Sequence, residues 1–312
     1  MSGTLTLTKV RELDLSAPPD TGRLPHLSAA SGLVRAGVCL YVVADDELHL
    51  GVFHATDSQA GHLVRLFAGE LPASAVARKA CKPDLEALTL LPPFAGYPRG
   101  ALFALGSGST PERRRGALLA LDEHGEASGA ARICDLSSLF TALDERFTSP
   151  NIEGALVSGA DLCLLQRGNR RVVQNAIVRF HLSTVLDALQ SNAPVTLISV
   201  HAFDLGSVDG IPLCFTDGAA LPDGDIVFAA VAEDTPDAYQ DGPCAGAAIG
   251  VADREGNLRC LHRLDPPHKV EGVDARVEGD VIRLLLVTDA DDPAVPACLY
   301  SAVLEKSYTH RP

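Results

Sequence analysis

Asn151-Ile152-Glu153-Gly154-Ala155 opens a short apolar run, and versions of this stretch recur through the chain. Each version contains a polar residue followed by a tiny one. The other versions are Ser31-Gly32-Leu33, Glu86-Ala87-Leu88, Asp217-Gly218-Ala219 and Glu271-Gly272-Val273. The polar residues lie 54 to 67 positions apart, and four of the five are carboxylates. Repetition of a strand-like unit at such a period is typical of a propeller or a solenoid.

Short apolar runs fill the intervals between these phrases. They are rich in Val, Leu, Ile and Phe and are bounded by Gly, Pro, Asp and Asn, as β-strands are. After each phrase come a turn, a second strand, a polar loop and a third strand. Candidate fourth strands lie at 62–67, 131–135, 195–203 and 257–264, and the two best helical candidates are 137–145 and 183–190. The sequence therefore predicts an all-β fold, a single β-propeller domain over residues 1–312 with five four-stranded blades, six blades being the alternative.

The fifth unit lacks a fourth strand of its own before the chain ends. Residues 4–15 alternate apolar and polar side chains, as an edge strand does. We expect this segment to complete the last blade, because such a closure leaves no long unpaired strand edge.

Composition narrows the classes of partner. The net charge is −14, and such an acidic surface repels nucleic acid and anionic membranes. The basic run Arg113-Arg114-Arg115 is expected to be a solvated loop or strand edge. No leader or membrane-length apolar run is expected, and the eight scattered cysteines lack a CxxC pair. These features predict a cytoplasmic protein with reduced cysteines and a small-molecule ligand.

The polar residues of the five phrases predict a charged ring. Inner strands line the channel of a propeller, so Glu86, Glu153, Asp217 and Glu271 are expected at its mouth, with Ser31 as the neutral member. Four carboxylates this close cannot all stay ionised without a counter-charge. A bound divalent cation, Ca²⁺ first and Mg²⁺ or Mn²⁺ next, supplies one solution. Neutralisation by nearby lysines is the other.

Further polar residues flank the predicted ring. Some precede the phrases, and others end the second strands, which run antiparallel to the inner ones and so return to the same face. The residues predicted to bind substrate are Lys82, Asp84, Asn151, Arg167, Lys269 and Asp289. The residues predicted to be catalytic are Glu153, Glu271 and His268, with His26 and His201 as further histidines expected near strand starts.

The motifs resemble those of a known group of propellers. Lys82-Pro83-Asp84-Leu85-Glu86-Ala87-Leu88, Asn151-Ile152-Glu153-Gly154 and Val270-Glu271-Gly272-Val273 are similar to inner-strand motifs of the phytase-like (esterase-like) propeller family and of gluconolactonase and regucalcin propellers. The resemblance spans nearly the whole chain, in short motifs. It implies a central divalent cation, usually Ca²⁺, acting as a Lewis acid on a lactone, ester or phosphoester. Carried over residue by residue, it puts Glu86, Glu153, Asp217 and Glu271 at the metal.

Two functions follow from the predicted ring. The first is a metal-dependent hydrolase of a small ester, lactone or phosphoester at the top of the channel. The alternative is a non-catalytic propeller that binds a small ligand or a protein partner, with the carboxylate ring as a structural element.

Overall fold

Five β-sheets form the blades of a propeller in the computed structural model, which describes residues 3–20, 22–169, 172, 174–235 and 242–306. The inner strands of neighbouring blades contact one another in a closed circle, from the first blade through the fifth and back to the first. The predicted all-β propeller and its count of five blades are confirmed.

The strands follow one another in chain order within the blades. β1 (Gly3–Leu5) and β2 (Thr8–Glu12) precede the first blade. The first blade contains β3 (Ala30–Ala36), β4 (Cys39–Ala44), β5 (His49–His54) and β6 (His62–Arg65). The second contains β7 (Leu85–Leu91), β8 (Ala101–Gly106), β9 (Arg115–Leu121) and β10 (Ala127–Asp135).

The remaining blades continue this order. The third contains β11 (Ile152–Ser158), β12 (Asp161–Gln166), β13 (Asn175–His181) and β14 (Leu197–Phe203). The fourth contains β15 (Ser207–Val208), β16 (Ile211–Ala220), β17 (Ile226–Glu233), β18 (Cys244–Ala252) and β19 (Leu258–Leu264). The fifth contains β20 (Val270–Glu278), β21 (Val281–Thr288) and β22 (Cys298–Glu305).

The N-terminal segment ties two blades together. β2 pairs antiparallel with β22 and so supplies the fourth strand of the fifth blade, which confirms the predicted closure. β1 instead pairs parallel with β19 of the fourth blade. Leu7, between the two strands, is buried in the core that the fourth and fifth blades share. Burial of this apolar side chain explains why the segment divides between neighbouring blades.

Each inner strand has a β-bulge, near its start in four blades and in the middle of β16 in the fourth. The bulged residues are Ser31, Glu86, Glu153, Thr216 and Glu271. In four blades this is the polar residue of the repeated phrase. In the fourth blade it is Thr216, one residue before Asp217. Since a shift of one residue turns a side chain toward a different surface, Asp217 does not occupy the position of the other three carboxylates.

In four of the blades, a tiny residue after the bulge allows the inner strands to converge. A Cβ atom on Gly272 would lie 2.9 Å from the backbone nitrogen of Leu33, and one on Gly154 would lie 3.0 Å from the Cα of Asp217. These distances leave no room for a larger side chain, which explains Gly32 and Ala87 at the corresponding position of the first and second blades. In the fourth blade Asp217 follows the bulge, and the small residue Gly218 comes one position later.

Within the described residues, three α-helices lie in the connections. α2 (Ser137–Asp144) and α3 (Leu182–Ser191) confirm the two predicted helices and pack on the core of the second and third blades. The sequence did not predict α1 (Ala75–Cys81), a seven-residue helix that exposes Val76 and has no amphipathic pattern long enough to detect. No helix in the described ranges has the length and apolar character required to cross a membrane.

Candidate functional site

A small cavity lies at the mouth of the central channel, where the inner strands begin and the second strands end. Its volume is about 70 Å³, enough for several water molecules or an ion. The carboxylates that line it are Asp45, Asp84, Glu86, Glu153, Glu233, Glu271 and Asp289. The cationic side chains that line it are Lys79, Lys82, Arg113, Arg167 and Lys269. If all these groups are ionised, the carboxylates exceed the cations by two.

The second blade contributes a lysine held between carboxylates. Lys82 follows α1, and its ammonium contacts the carboxylate of Asp45 and, at 3.0 Å, that of Asp84. Asp84 also accepts hydrogen bonds from the hydroxyl of Ser107 and from Nη1 of Arg113, the latter at 2.7 Å. Burial alone would lower the pKa of Lys82, but the carboxylates of Asp45 and Asp84 raise it above its ordinary value. Lys82 is therefore a permanent cation in the site and not a proton acceptor.

The third blade contributes a fully paired arginine. Arg167 donates to Oε2 of Glu153 at 3.0 Å and to Oε2 of Glu233 at 2.5 Å. Asn151 donates to the other oxygen of Glu153 at 2.6 Å. Glu153 is thus a fixed partner of two protein groups. Arg167, predicted to hold a substrate anion, has its guanidinium between two protein carboxylates.

The fifth blade contributes a lysine surrounded by acids. The Nζ of Lys269 lies 3.3 Å from Glu233, 3.5 Å from Asp289 and 3.9 Å from Glu271. Glu271 is 5% exposed, and within the described residues its Oε1 has no hydrogen-bond partner. Burial raises the pKa of Glu271 well above its ordinary value, against the opposing effect of Arg167 and Lys269.

Three carboxylates form the best candidate for a metal site. One oxygen each of Asp45, Asp84 and Glu86 lies within 4.8 Å of the others. In the described part of the chain, no group donates a hydrogen bond to Glu86, and burial together with the carboxylate of Glu153 raises its pKa well above the ordinary value. An all-oxygen donor set suits Ca²⁺, Mg²⁺ or Mn²⁺, and the excess of two negative charges matches one divalent cation. These residues therefore fit the implied metal.

Asp217 lies elsewhere, so the predicted ring needs correction. Its side chain is 1% exposed, and its Oδ2 accepts the backbone N–H of Val273 at 2.8 Å. Burial raises its pKa well above the ordinary value, against the opposing effect of the nearby backbone N–H groups of Val273, Gly218 and Leu33, and its Oδ1 has no hydrogen-bond partner among the described residues. Asp217 thus joins the inner strands of the first, fourth and fifth blades.

The corrected ring follows the bulges. It contains the carboxylates of Glu86, Glu153 and Glu271 and the hydroxyls of Ser31 and Thr216. Thr216 itself is fully buried and donates to the backbone carbonyl of Val270 at 2.7 Å. Three acids, not four, therefore take part.

The three candidate histidines do not line the cavity. The ring of His268 packs on Tyr300, with centroids 4.5 Å apart. His201 lies on β14, the outermost strand of its blade, so its predicted location near an inner strand is wrong. His26 lies 3.2 Å from the carbonyl oxygen of Pro293. The predicted catalytic role of these histidines in the cavity therefore has no support from their positions, and carboxyl groups are the candidate proton acceptors there.

Two cationic residues of the site were missed from the sequence. Arg113 was expected in a solvated loop or strand edge, but it is 5% exposed and bonds to Asp84. Lys79 lies on α1, which the sequence did not predict. The sequence offered one signal that Arg113 belongs to the site, namely its position shortly after the polar loop that follows β8. In the structure Arg113 ends a 3₁₀ turn there.

A larger groove adjoins the cavity. Its volume is about 430 Å³, which suits a small molecule. It shares Asp45, Lys79, Lys82 and Asp289 with the cavity. Its apolar residues are Leu24, Ala29, Ala73, Pro293 and Ala294, its further acids are Asp46, Asp291 and Asp292, and its further cations are Arg23 and Arg78. A ligand in the groove would therefore reach the charged network of the cavity.

Asp289 gives the stability of the protein a pH dependence. Burial raises its pKa from 3.8 to about 8, against the opposing effect of Lys269. The folded state binds this proton more tightly than the unfolded state, so the stabilising contribution is complete below pH 3.8 and is lost as the pH rises through about 8. We expect the Tm in a chelating buffer to fall across this window, and to fall less for Asp289→Asn.

The exposed Asp187 on α3 provides the matched control for that titration. Asp187→Asn should keep the pH dependence of the unsubstituted protein. Equal dependence of Tm on pH in Asp289→Asn and in the unsubstituted protein would show that Asp289 does not have the raised pKa.

Comparisons with known proteins give a family and remote structural likenesses. A family model described as "Family of unknown function (DUF6929)" matches residues 26–304. No curated protein matches the chain significantly.

Among solved structures, a luciferin-regenerating enzyme is 12% identical, with a TM-score of 0.45 over 89% of this chain and 92% of that chain. A protein provisionally named a glycoside hydrolase, from Parabacteroides distasonis, is 12% identical, with a TM-score of 0.48 over 97% of each chain. A gluconolactonase from Xanthomonas campestris is 12% identical, with a TM-score of 0.37 over 97% of this chain and 98% of that chain. A gluconolactonase is thus among the remote structural likenesses, and the relation to phytase-like propellers stays a prediction. A likeness this remote carries no argument about activity.

Proposed function

The chain belongs to the family of unknown function DUF6929, and we propose that it is a divalent-cation-dependent hydrolase of a small ester, lactone or phosphoester. The observation that carries the proposal is the cluster of Asp45, Asp84 and Glu86, whose oxygens lie within 4.8 Å of one another. The groove of about 430 Å³ beside it supplies a place for a substrate.

Asp45, Asp84 and Glu86 would hold the cation, with Ca²⁺ as the first choice for an all-oxygen set. When bound, such a cation supplies a Lewis acid for a carbonyl or phosphoryl oxygen. Lys82 already contacts Asp45 and Asp84, so it competes with the cation for these two carboxylates. Glu86 has no such competitor in the described residues and is the ligand on which the site most depends.

Asp289 is best placed to accept a proton. It lines both the cavity and the groove, and its pKa of about 8 is close to the pH at which a general base works best in the cell. Lys269 lies 3.5 Å away and stabilises the ionised form. In the proposed reaction, Asp289 takes the role that the sequence had suggested for His268, and Glu271 is the second candidate acceptor.

The groove favours a neutral substrate. Leu24, Pro293 and Ala294 offer apolar contacts for a carbon skeleton, and the five carboxylates of the groove exceed its four cationic side chains by one, so its net charge does not attract a polyanion. Lys82, where the groove meets the cavity, is placed to stabilise negative charge that develops on the substrate oxygen. A lactone or carboxylic ester therefore fits better than a multiply charged phosphoester.

One observation favours a second candidate function, that of a non-catalytic binding propeller. Lys82, Arg167 and Lys269 each pair with two or more carboxylates, so much of the acidic charge is balanced within the protein. In that case the ion pairs of the cavity stabilise the fold, and the groove binds a small ligand or a protein partner without catalysing a reaction.

Turnover of a γ-lactone, an aryl acetate and an aryl phosphate separates the two functions. We expect hydrolysis of at least one substrate with Ca²⁺, Mg²⁺ or Mn²⁺, its loss after chelation and its return on refilling. Asp289→Asn should lower kcat by about 100-fold, while the exposed Glu70→Gln should leave kcat unchanged. Turnover that survives chelation would contradict the metal dependence, and no turnover with cation bound would favour the non-catalytic propeller.

A further inference from the structure

The seam between the fifth and first blades contains a second cavity, which we call the seam cavity. Its volume is about 290 Å³. It is lined by Arg35 of β3, Arg276 of β20 and Arg283 of β21, together with the hydroxyls of Thr6, Thr8 and Ser301. Arg35 lies near the end of the strand whose start, Ser31, lines the channel mouth. The seam cavity therefore lies toward the opposite face of the propeller.

The charge of the seam cavity is opposite to that of the whole chain. The chain has a net charge of −14, but the cavity has three arginines against the two carboxylates of Asp274 and Glu278. Arg276 lies 3.6 Å from Asp274, and Arg283 forms an ion pair with Glu278. These two pairs leave Arg35 without an ion pair among the described residues, although its charge also acts on Asp274.

Arg35 has a fixed backbone and an unpaired side chain. Its backbone N–H donates to Asp274 Oδ1 at 3.2 Å, and its carbonyl accepts a hydrogen bond from Arg276 at 3.3 Å. Its Nε is buried and has no hydrogen-bond partner among the described residues. The blades on both sides thus hold the strand in place while the guanidinium remains available. A buried donor of this kind is rare unless it has a partner.

We propose that the seam cavity binds a small molecule through an oxyanion, a phosphate or carboxylate group that pairs with Arg35. A guanidinium presents its N–H donors as a planar fork that matches two oxygens of such a group. Thr6, Thr8 and Ser301 add hydroxyl donors, and Leu284 and Leu285 offer apolar contacts. The site is separate from the channel mouth, so it does not depend on the proposed hydrolase activity.

Binding at the seam cavity has a consequence for stability. The cavity is formed by residues of the first and fifth blades, by Thr6 and by Thr8, the first residue of the closing strand β2. A ligand that needs all three parts binds the closed ring and not the unfolded chain, so it raises Tm with concentration.

Calorimetric titration and thermal melts with inorganic phosphate and with succinate test the proposal, at an ionic strength held constant with chloride and in a chelating buffer. We expect one of the two anions to bind at one site and to raise Tm, and the better anion tells whether phosphate or carboxylate is preferred. Arg35→Gln should weaken binding by at least about tenfold, as loss of a bidentate charged pair requires. Arg99→Gln, at an exposed arginine remote from the seam cavity, should bind like the unsubstituted protein.

Two results would overturn the proposal: no saturable binding of either anion, or equal binding by Arg35→Gln and Arg99→Gln. If Arg35→Gln does not fold, Arg283→Gln replaces it, because that side chain is 58% exposed and its loss leaves the blades packed. Arg283→Gln should weaken the same anion, and unchanged affinity in that variant would contradict the site. The anion titrations are done in the presence of chelator. A negative result for anion binding at the seam cavity is therefore independent of whether the proposed metal-dependent hydrolase activity is found.

Discussion

Replacing Asp217 by Ala is expected to lower the free energy of unfolding by about 3–5 kcal/mol. The carboxyl group is 1% exposed, accepts the backbone N–H of Val273 of the fifth blade and lies beside the backbone N–H of Leu33 of the first. Alanine would leave these buried donors without an acceptor at the point where the inner strands meet. No other residue of the repeated phrases joins three blades in this way within the described contacts.

Two further variants make this result interpretable. Asp217→Asn keeps one acceptor oxygen of the same size and should cost clearly less than Asp217→Ala. Asp187→Ala, at an exposed position of α3, should leave the free energy of unfolding unchanged or slightly raised. Urea denaturation measures all three, and a loss below about 1 kcal/mol for Asp217→Ala would show that the buried carboxyl group does not stabilise the ring.

Glu86→Gln and Lys82→Met are expected to change cation affinity in opposite directions. Glu86 is the candidate ligand that accepts no hydrogen bond from a described residue. Its replacement should therefore weaken Ca²⁺ binding by about 100-fold or more. Loss of a residue that only supports a metal ligand typically weakens metal binding by about 10- to 100-fold. Lys82 competes for Asp45 and Asp84, so its replacement by an uncharged side chain of similar length should tighten binding.

Calorimetric titration with Ca²⁺ above about pH 8, where Asp45 and Asp289 are ionised, checks both variants. Glu70→Gln is the matched control for Glu86→Gln, because it removes an exposed carboxylate. Circular dichroism establishes that each variant is folded. Weakened binding in Lys82→Met, or unchanged binding in Glu86→Gln, would show that the cation does not bind where proposed.

Much of the architecture was accessible from the sequence because it repeats. Five copies of one phrase set the number of blades, and the alternation in residues 4–15 indicated a closing strand. The fourth blade was misread at Asp217. Its phrase matches the others in residue type, but the bulge falls at Thr216. Which of two adjacent residues forms the bulge depends on how the inner strands pack against one another across the channel. A single sequence does not contain that information.

The site was predictable in composition but not in pairing. Lys82, Asp84, Asn151, Arg167, Lys269 and Asp289 were all predicted, and all line the cavity. Which of them neutralise one another depends on side-chain distances across blades, as in the contacts of Arg167 with Glu153 and Glu233. Arg113 was missed because three consecutive arginines are usually solvated, whereas a 3₁₀ turn buries the first of them here.

Metal content is the most direct test of the central claim, that Asp45, Asp84 and Glu86 hold a divalent cation at the channel mouth. The protein is dialysed against Ca²⁺ above about pH 8, so that Asp289 is ionised, and is then analysed for bound metal and melted with and without chelator. The account predicts one Ca²⁺ per chain and a Tm that falls on chelation. No bound metal and an unchanged Tm would contradict it, and would mean that Lys82, Arg167 and Lys269 neutralise the carboxylates by themselves.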